Sequence, residues 1–249
     1  MKSRLRFARP PGAEETALLG RIADEVEAVT TARLAIALVV RGPYRDVAVD
    51  FDGFSDHKRH LHFTRLLGPE PVHRLQAGPD VLRRLSPEDQ RETGRSWLWE
   101  EPASPNWESE RAETVASIRC RARILRSADE RLDGEEVRRH TLLIRPRRRE
   151  ADPLLAGARD SIRRHGIKRL TYDVWLTRTG RLRRTREHAV MFRAHRRLGR
   201  TVSVTIEGRD FGILVEDLLH PAPEDILRPD DAGAAPGLTV IIDGQISPY

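Results

Sequence analysis

The residues of this chain best suited to chemistry by type and spacing are the histidines of HKRHLH, namely His57, His60 and His62. On a strand, residues two apart share a face, so His60 and His62 form a pair of the kind that ligates metals. His57 points away from that pair, no cysteine lies nearby and no carboxylate partner is assured. The segment therefore reads as a solvated polar face, and no metal is expected. Asp50 and Asp52 flank Phe51 and share one strand face, the layout of a general acid and base whose pKa values are split by mutual repulsion. The plainer reading is a charged outward edge. No Gly-x-Ser-x-Gly elbow, phosphate-binding glycine loop or dinucleotide fingerprint occurs, so neither a catalytic residue nor a cofactor is expected.

Three arginine clusters, Arg145 to Arg149, Arg181 to Arg186 and Arg193 to Arg200, suit nucleic acid or an anionic membrane surface. Stacking aromatics are not interleaved with them, and 44 basic against 38 acidic residues leave a net charge of only +6. Nucleic acid is not expected as a partner, while peripheral contact with an anionic membrane is retained. Trp97, Trp99 and Trp175 offer large apolar surfaces to a core or a cavity, and at least one is expected on the inner, helix-covered side of a sheet.

These residues need a scaffold of mostly Leu, Val and Ile, because aromatics make up only 5% of the 249 residues. Cys120 is the single cysteine, which excludes an intramolecular disulfide and leaves packing to hold the fold. From Ala13 to Thr31, Leu18, Leu19, Ile22, Val26 and Val29 recur at helical spacing behind acidic Glu14 and Glu15. Leu34, Ile36 and Leu38, then Val47, Val49 and Phe51, alternate as two strands. Leu61 and Phe63, Val72 and Leu75, Val81 and Leu82, and Trp97 and Leu98 continue as short strands between turn signals, without intervening helices. That spacing predicts an antiparallel meander.

From Glu113 to Leu125 the pattern is helical, followed by an Asp133-Gly134 turn and an apolar strand from Thr141 to Ile144. Residues 151 to 165 are helical again, with Gly166 as the stop. YDVWLTRTGRLRR, Tyr172 to Arg184, reads as a hairpin turning at Gly180, and Val190 and Phe192, then Val202, Val204 and Ile206, supply further strands. Pro221 and Pro223 end regular structure, Asp230 to Gly237 reads as a spacer, and Leu238 to Ile242 as a last short strand. The expected organisation is a flexible stretch over residues 1–12, one domain over 13–228, and a tail over 229–249.

Gly94-Arg95-Ser96-Trp97, Asp133-Gly134-Glu135 leading to His140-Thr141-Leu142-Leu143-Ile144, and the YDVWLTRTGRLRR hairpin followed by Asp210-Phe211-Gly212 and Ala222-Pro223 occur in an order that resembles the LppX/LprG-type actinobacterial lipoproteins of the LolA/LolB-like superfamily. The resemblance spans roughly residues 15 to 228. It implies an α+β fold: a strongly curved antiparallel β-sheet, like a half-open barrel, with an N-terminal helix and two inserted helices covering the concave face. It also implies an apolar cavity that holds acyl chains, since such proteins bind or carry lipids. A signal peptide and an acylated N-terminal cysteine are not found here, so the expected location is cytoplasmic for the chain as it stands, or the cell envelope with a leader.

The expected function is non-enzymatic binding or carriage of a lipid-like or other apolar molecule. The residues expected to line the cavity are Ile36, Leu38, Val49, Phe51, Phe63, Trp97, Val174 and Val204. Two alternatives stand beside it: an enzyme or accessory protein of a biosynthetic pathway using the same cavity, and a basic module docking an acidic partner or membrane.

Overall fold

The computed structural model describes residues 11–41, 46–68, 71–101, 107–145, 147, 149–164, 166–191, 201–213 and 221–228. The N-terminal helix α1 (Ala13–Ala28) buries Leu19, Ile22, Ala23 and Val26, which recur on one face, and carries Glu14 and Glu15 at the positive end of its dipole. It stops short of Thr31 because Val29 takes an extended backbone. The β-branched run that follows enters β1 (Thr31–Arg41) directly.

An antiparallel meander continues through β2 (Val47–Asp56), β3 (Leu61–Leu66), β4 (His73–Ala77), β5 (Asp80–Arg84) and β6 (Trp97–Glu100). A helix, α2 (Pro87–Thr93), interrupts it, contrary to the expectation of strands alone. Its start is local chemistry: the Ser86 hydroxyl accepts the Asp89 N–H at 3.1 Å and Pro87 occupies the first turn, while Gly94 at φ 67° ends it.

The helix α3 (Trp107–Arg121) passes straight into β7 (Ala122–Leu132), so the helix expected to reach Leu125 gives way to a strand three residues earlier. Then come β8 (Glu135–Ile144), α4 (Pro153–Arg164), β9 (Ile167–Thr177), β10 (Leu182–Met191) and β11 (Thr201–Arg209). A 3₁₀ turn, Pro223–Asp225, leads into the two-residue β12 (Ile226–Leu227), where the prolines were expected to end regular structure. Phe192, the spacer from Asp230 and the strand at Leu238 to Ile242 lie outside the described residues.

All twelve strands form one curved, unclosed sheet in the order β12-β6-β5-β4-β3-β2-β1-β11-β10-β9-β8-β7. Every pair is antiparallel except β12 with β6. The first and last long strands, β1 and β11, meet at the centre through a nine-residue register from Arg33↔Arg209 to Arg41↔Thr201. The fold is thus α+β.

Buried side chains of α1 and α3 pack with Leu142, Ile144, Tyr172, Val174 and Leu176 in the larger core, which covers the β7–β9 end of the sheet. A second cluster of Leu61, Leu75, Ala77, Leu82 and Ile226, with Phe63, Trp97 and Trp99 against it, occupies the β3–β6 end. The edge strand β7 shows charged Arg126, Asp129 and Arg131 to solvent, which discourages pairing with another chain.

Candidate ligand-binding site

Direct cross-strand partners share a face, so the register traces rows across the sheet. One row runs Leu142, Tyr172, Glu187, Ile206, Ile36, Phe51, Leu66. The next runs Ile144, Leu170, Ala189, Val204, Leu38, Val49. Each row begins beneath α1 and α3, among core residues, and ends on β2 or β3 in side chains that are only partly buried. Apart from Glu187 on β10 these side chains are apolar, so beyond β10 an apolar strip on β11, β1 and β2 continues the face of the helix-covered core.

Of the eight residues expected to line one cavity, Ile36, Leu38, Val49, Phe51 and Val204 lie side by side in this strip. Val174 is on the same face but fully buried in the core under the helices. Phe63 and Trp97 are on the opposite face: Phe63 pairs with Phe54, and both Phe63 and Trp97 pack against the Leu61–Leu82 cluster. Alternation within a strand separates its two sides, yet turn length and register decide which side continues into the next strand.

The tryptophans also depart from expectation, since none of Trp97, Trp99 and Trp175 reaches the helix-covered face. Trp175 is opposite Arg139 and Arg184 in the register and keeps only 3% of its surface exposed. Guanidinium groups of Arg139, Arg184 and Arg186 stand 5.8, 5.9 and 5.4 Å from its ring, and its Nε1 donates to Glu130 at 3.0 Å. Arginine stems replace a helix as its cover.

Where the strip meets the helices, a cavity of about 200 Å³ opens. Val26 of α1, Val29 just beyond its end, Leu34 of β1 and Ile206 of β11 form its apolar walls. Ser55, His57, His62, Tyr172, Thr185 and Glu187 supply polar ones, with Arg111 and Thr114 entering from α3. Arg111 ties the roof together: its Nη2 donates to the carbonyls of Val26, Glu27 and Val29 at 3.2, 2.5 and 2.6 Å, satisfying the end of α1. Gly208 is needed on the floor, because a Cβ there would stand 2.7 Å from the Thr185 hydroxyl. That hydroxyl bonds Tyr172, whose phenol is pushed upward by burial.

The histidines sort differently from the strand-spacing expectation. His60 sits in the β2–β3 turn with φ 55°, whereas His57 and His62 both line the cavity, because the chain reverses between them. His62 Nδ1 lies 2.9 Å from the Ser55 hydroxyl. Burial holds the His62 imidazole down at about 4, and burial, Arg111 and His62 together hold His57 at about 4 against the opposing pull of Asp56. Among the described residues no group of His, Cys, Asp and Glu is arranged to hold a metal ion. Asp52 is engaged across the sheet: both its oxygens accept from Arg65, at 3.0 and 2.5 Å.

Tyr172, Thr185, Glu187 and Arg111 are cavity residues that strand and helix patterns do not single out. The alternation of Thr185, Glu187 and Ala189 on β10 is the one signal that puts them on a common face. A larger groove of about 1160 Å³ lies between α1 and the outer ends of β7, β8 and β9, but its walls mix Arg21, Glu25, Asp129, Arg131, Arg138 and Arg178. Three arginines of the Arg181 to Arg186 cluster are offset by acids: Arg183 pairs with Glu135, and Arg184 and Arg186 with Glu207. Arg193 to Arg200 lie outside the described residues, as do parts of the Arg145 to Arg149 run. Among the described residues no helix is long and apolar enough to cross a membrane.

Comparison with protein-family models gives no match, and neither does comparison with curated protein sequences. Solved structures with a similar course of chain include the lipoprotein LppX of Mycobacterium tuberculosis, at 12% identity over 83% of this chain and 99% of that one, with a TM-score of 0.46. LprF of Mycobacterium bovis is 13% identical over 86% of this chain and 99% of that one, with a TM-score of 0.47. A LolA superfamily protein of Nitrosomonas europaea is 10% identical over 83% and 97%, with a TM-score of 0.34. The structural neighbours are thus the proteins that the sequence motifs resemble. At these values no ligand and no role comes from the likeness.

Proposed function

We infer that this chain binds a lipid-like or other apolar molecule on the strip formed by β1, β2 and β11 and in the cavity at its end, without altering it chemically. The observation carrying this reading is the pair of rows in which Ile36, Phe51 and Ile206, then Leu38, Val49 and Val204, stand side by side on one face while remaining only partly buried among the described residues. Contiguous apolar surface of this kind marks interaction sites. Each 100 Å² of apolar area a ligand withdraws from water there contributes about 2.5 kcal/mol before association costs are subtracted.

An enzyme using the same cavity is the second reading, favoured by the polar side chains that converge on it. The histidines argue against it: imidazoles held at about 4 are weak bases near neutrality, where an effective general base has a pKa close to the working pH. Gentle purification followed by native mass spectrometry and solvent extraction tests the binding reading. An apolar passenger is expected, together with saturable binding of a solvatochromic apolar probe that Leu38→Asp abolishes without loss of circular dichroism. Neither passenger nor saturable binding in the wild type overturns it.

A further inference from the structure

The site is asymmetric along its length. At the strip end, Leu34, Ile36, Leu38 and Val40 of β1 lie in a line, and six residue steps of strand span about 20 Å. Phe51 and Val49 on one side and Ile206 and Val204 on the other border that line, so three strands about 4.8 Å apart give room for an extended chain. At the cavity end the character changes to hydroxyl, imidazole and charged groups, in a volume of about 200 Å³. That volume is below the few hundred Å³ of a complete small-molecule pocket, and suits one end of a ligand rather than all of it.

The polar end carries one basic and one acidic side chain, Arg111 and Glu187. Arg111 already serves three carbonyls of α1 and its loop. Those carbonyls leave its charge in place, so a carboxylate or phosphate entering here is drawn to Arg111 and repelled by the Glu187 carboxyl, and an ammonium feels the reverse; the two opposed charges leave either ion little net attraction to offset its desolvation. The remaining groups, Ser55, His57, His62, Tyr172 and Thr185, can both donate and accept hydrogen bonds. They match hydroxyl and ester oxygens, and a buried charge without a partner is costly.

Building on the binding function above, we propose that the site takes an amphiphile with an uncharged head, a long-chain alcohol or a monoacylglycerol, whose head enters the cavity beside His57, His62 and Glu187 and whose extended tail lies along β1. The ligand has a direction: head beneath the junction of α1 and α3, tail toward Val40.

Competition against a solvatochromic probe at pH 7.5 tests this, using a monoacylglycerol, a fatty acid and an alkylammonium of one chain length, each below its micellar concentration. The monoacylglycerol should bind at least about ten-fold more tightly than either charged analogue, a difference of about 1.4 kcal/mol. Glu187→Gln should narrow the gap for the fatty acid alone, and Leu38→Asp should weaken all three. A fatty acid or ammonium that binds the wild type as tightly as the monoacylglycerol overturns the assignment of the head and leaves apolar binding standing. If no amphiphile displaces the probe, or Leu38→Asp changes nothing, the binding function fails and the head assignment with it.

Discussion

The two ends of the sheet carry their larger cores on opposite faces. At the β7–β10 end, α1 and α3 cover the face carrying Leu142, Tyr172 and Val174, and the reverse face is finished with Trp175 under arginines and with cross-strand ion pairs. At the β3–β6 end, Leu61, Leu75, Leu82 and Trp99 are packed on that reverse face, while the helix-side face carries Arg74 and Arg83, both bound to Glu100, and buries the small cluster of Leu85, Leu98 and Leu227 at its outermost strands. The change-over falls on β1 and β2, where Phe54 and Ser55 are buried on successive, opposite sides. The strip lies where one cover has ended on its own face and the other core has moved to the far face. A sheet that switches its buried side leaves apolar surface near the switch without requiring a hole through a core.

The largest effects should come from truncating the two cores. Leu142 and Leu82 are both fully buried, one at each end, and Leu142→Ala and Leu82→Ala should each cost about 3 to 5 kcal/mol in urea unfolding. If the ends are one cooperative unit, both substitutions shift a single transition. A separate early transition in Leu82→Ala alone would show that the switch also divides stability. Gly53→Ala addresses the change-over itself: its Cβ would stand 2.3 Å from the Phe63 carbonyl oxygen, so β2 and β3 must part, at about 2 kcal/mol.

The histidines at the switch predict an acid-side loss. In the folded chain His57 and His62 titrate at about 4 instead of 6.5, so on acidification the unfolded chain takes up their protons first. Stability should be complete above pH 6.5 and fall between 6.5 and about 4, and His62→Gln should flatten that slope in melting temperatures taken across the range. The smallest effect belongs to Ser86→Ala, which removes the cap of the exposed helix α2 and should cost about 1 kcal/mol or less in the same unfolding experiment.

Much of the scaffold is legible in the sequence because its signals are local. The hairpin from Tyr172 turns where Gly180 adopts φ 86°, and α1 follows its apolar stripe. β7 is not legible: its Ala, Glu, Leu and Arg residues are good helix formers, and ten paired positions along β8 override that preference. β12 is too short to leave a pattern and exists through its pairing with Trp97 and Leu98. Of the site, the five strip residues are visible as alternating apolar positions. The displacement of Phe63 and Trp97 to the other face is not, because it depends on how strands register across turns. His57 and His62 come together through a reversal that strand spacing cannot express.

The parallel pairing of β12 has a consequence for how this molecule is made. β6 lies in the first half of the chain, yet its outer edge is capped by Ile226 and Leu227, which leave the ribosome only after β7 to β11 have been translated. Until they emerge, β6 has no partner on that side, and the backbone donors and acceptors beside Trp97 and Leu98 stay unpaired in the nascent chain.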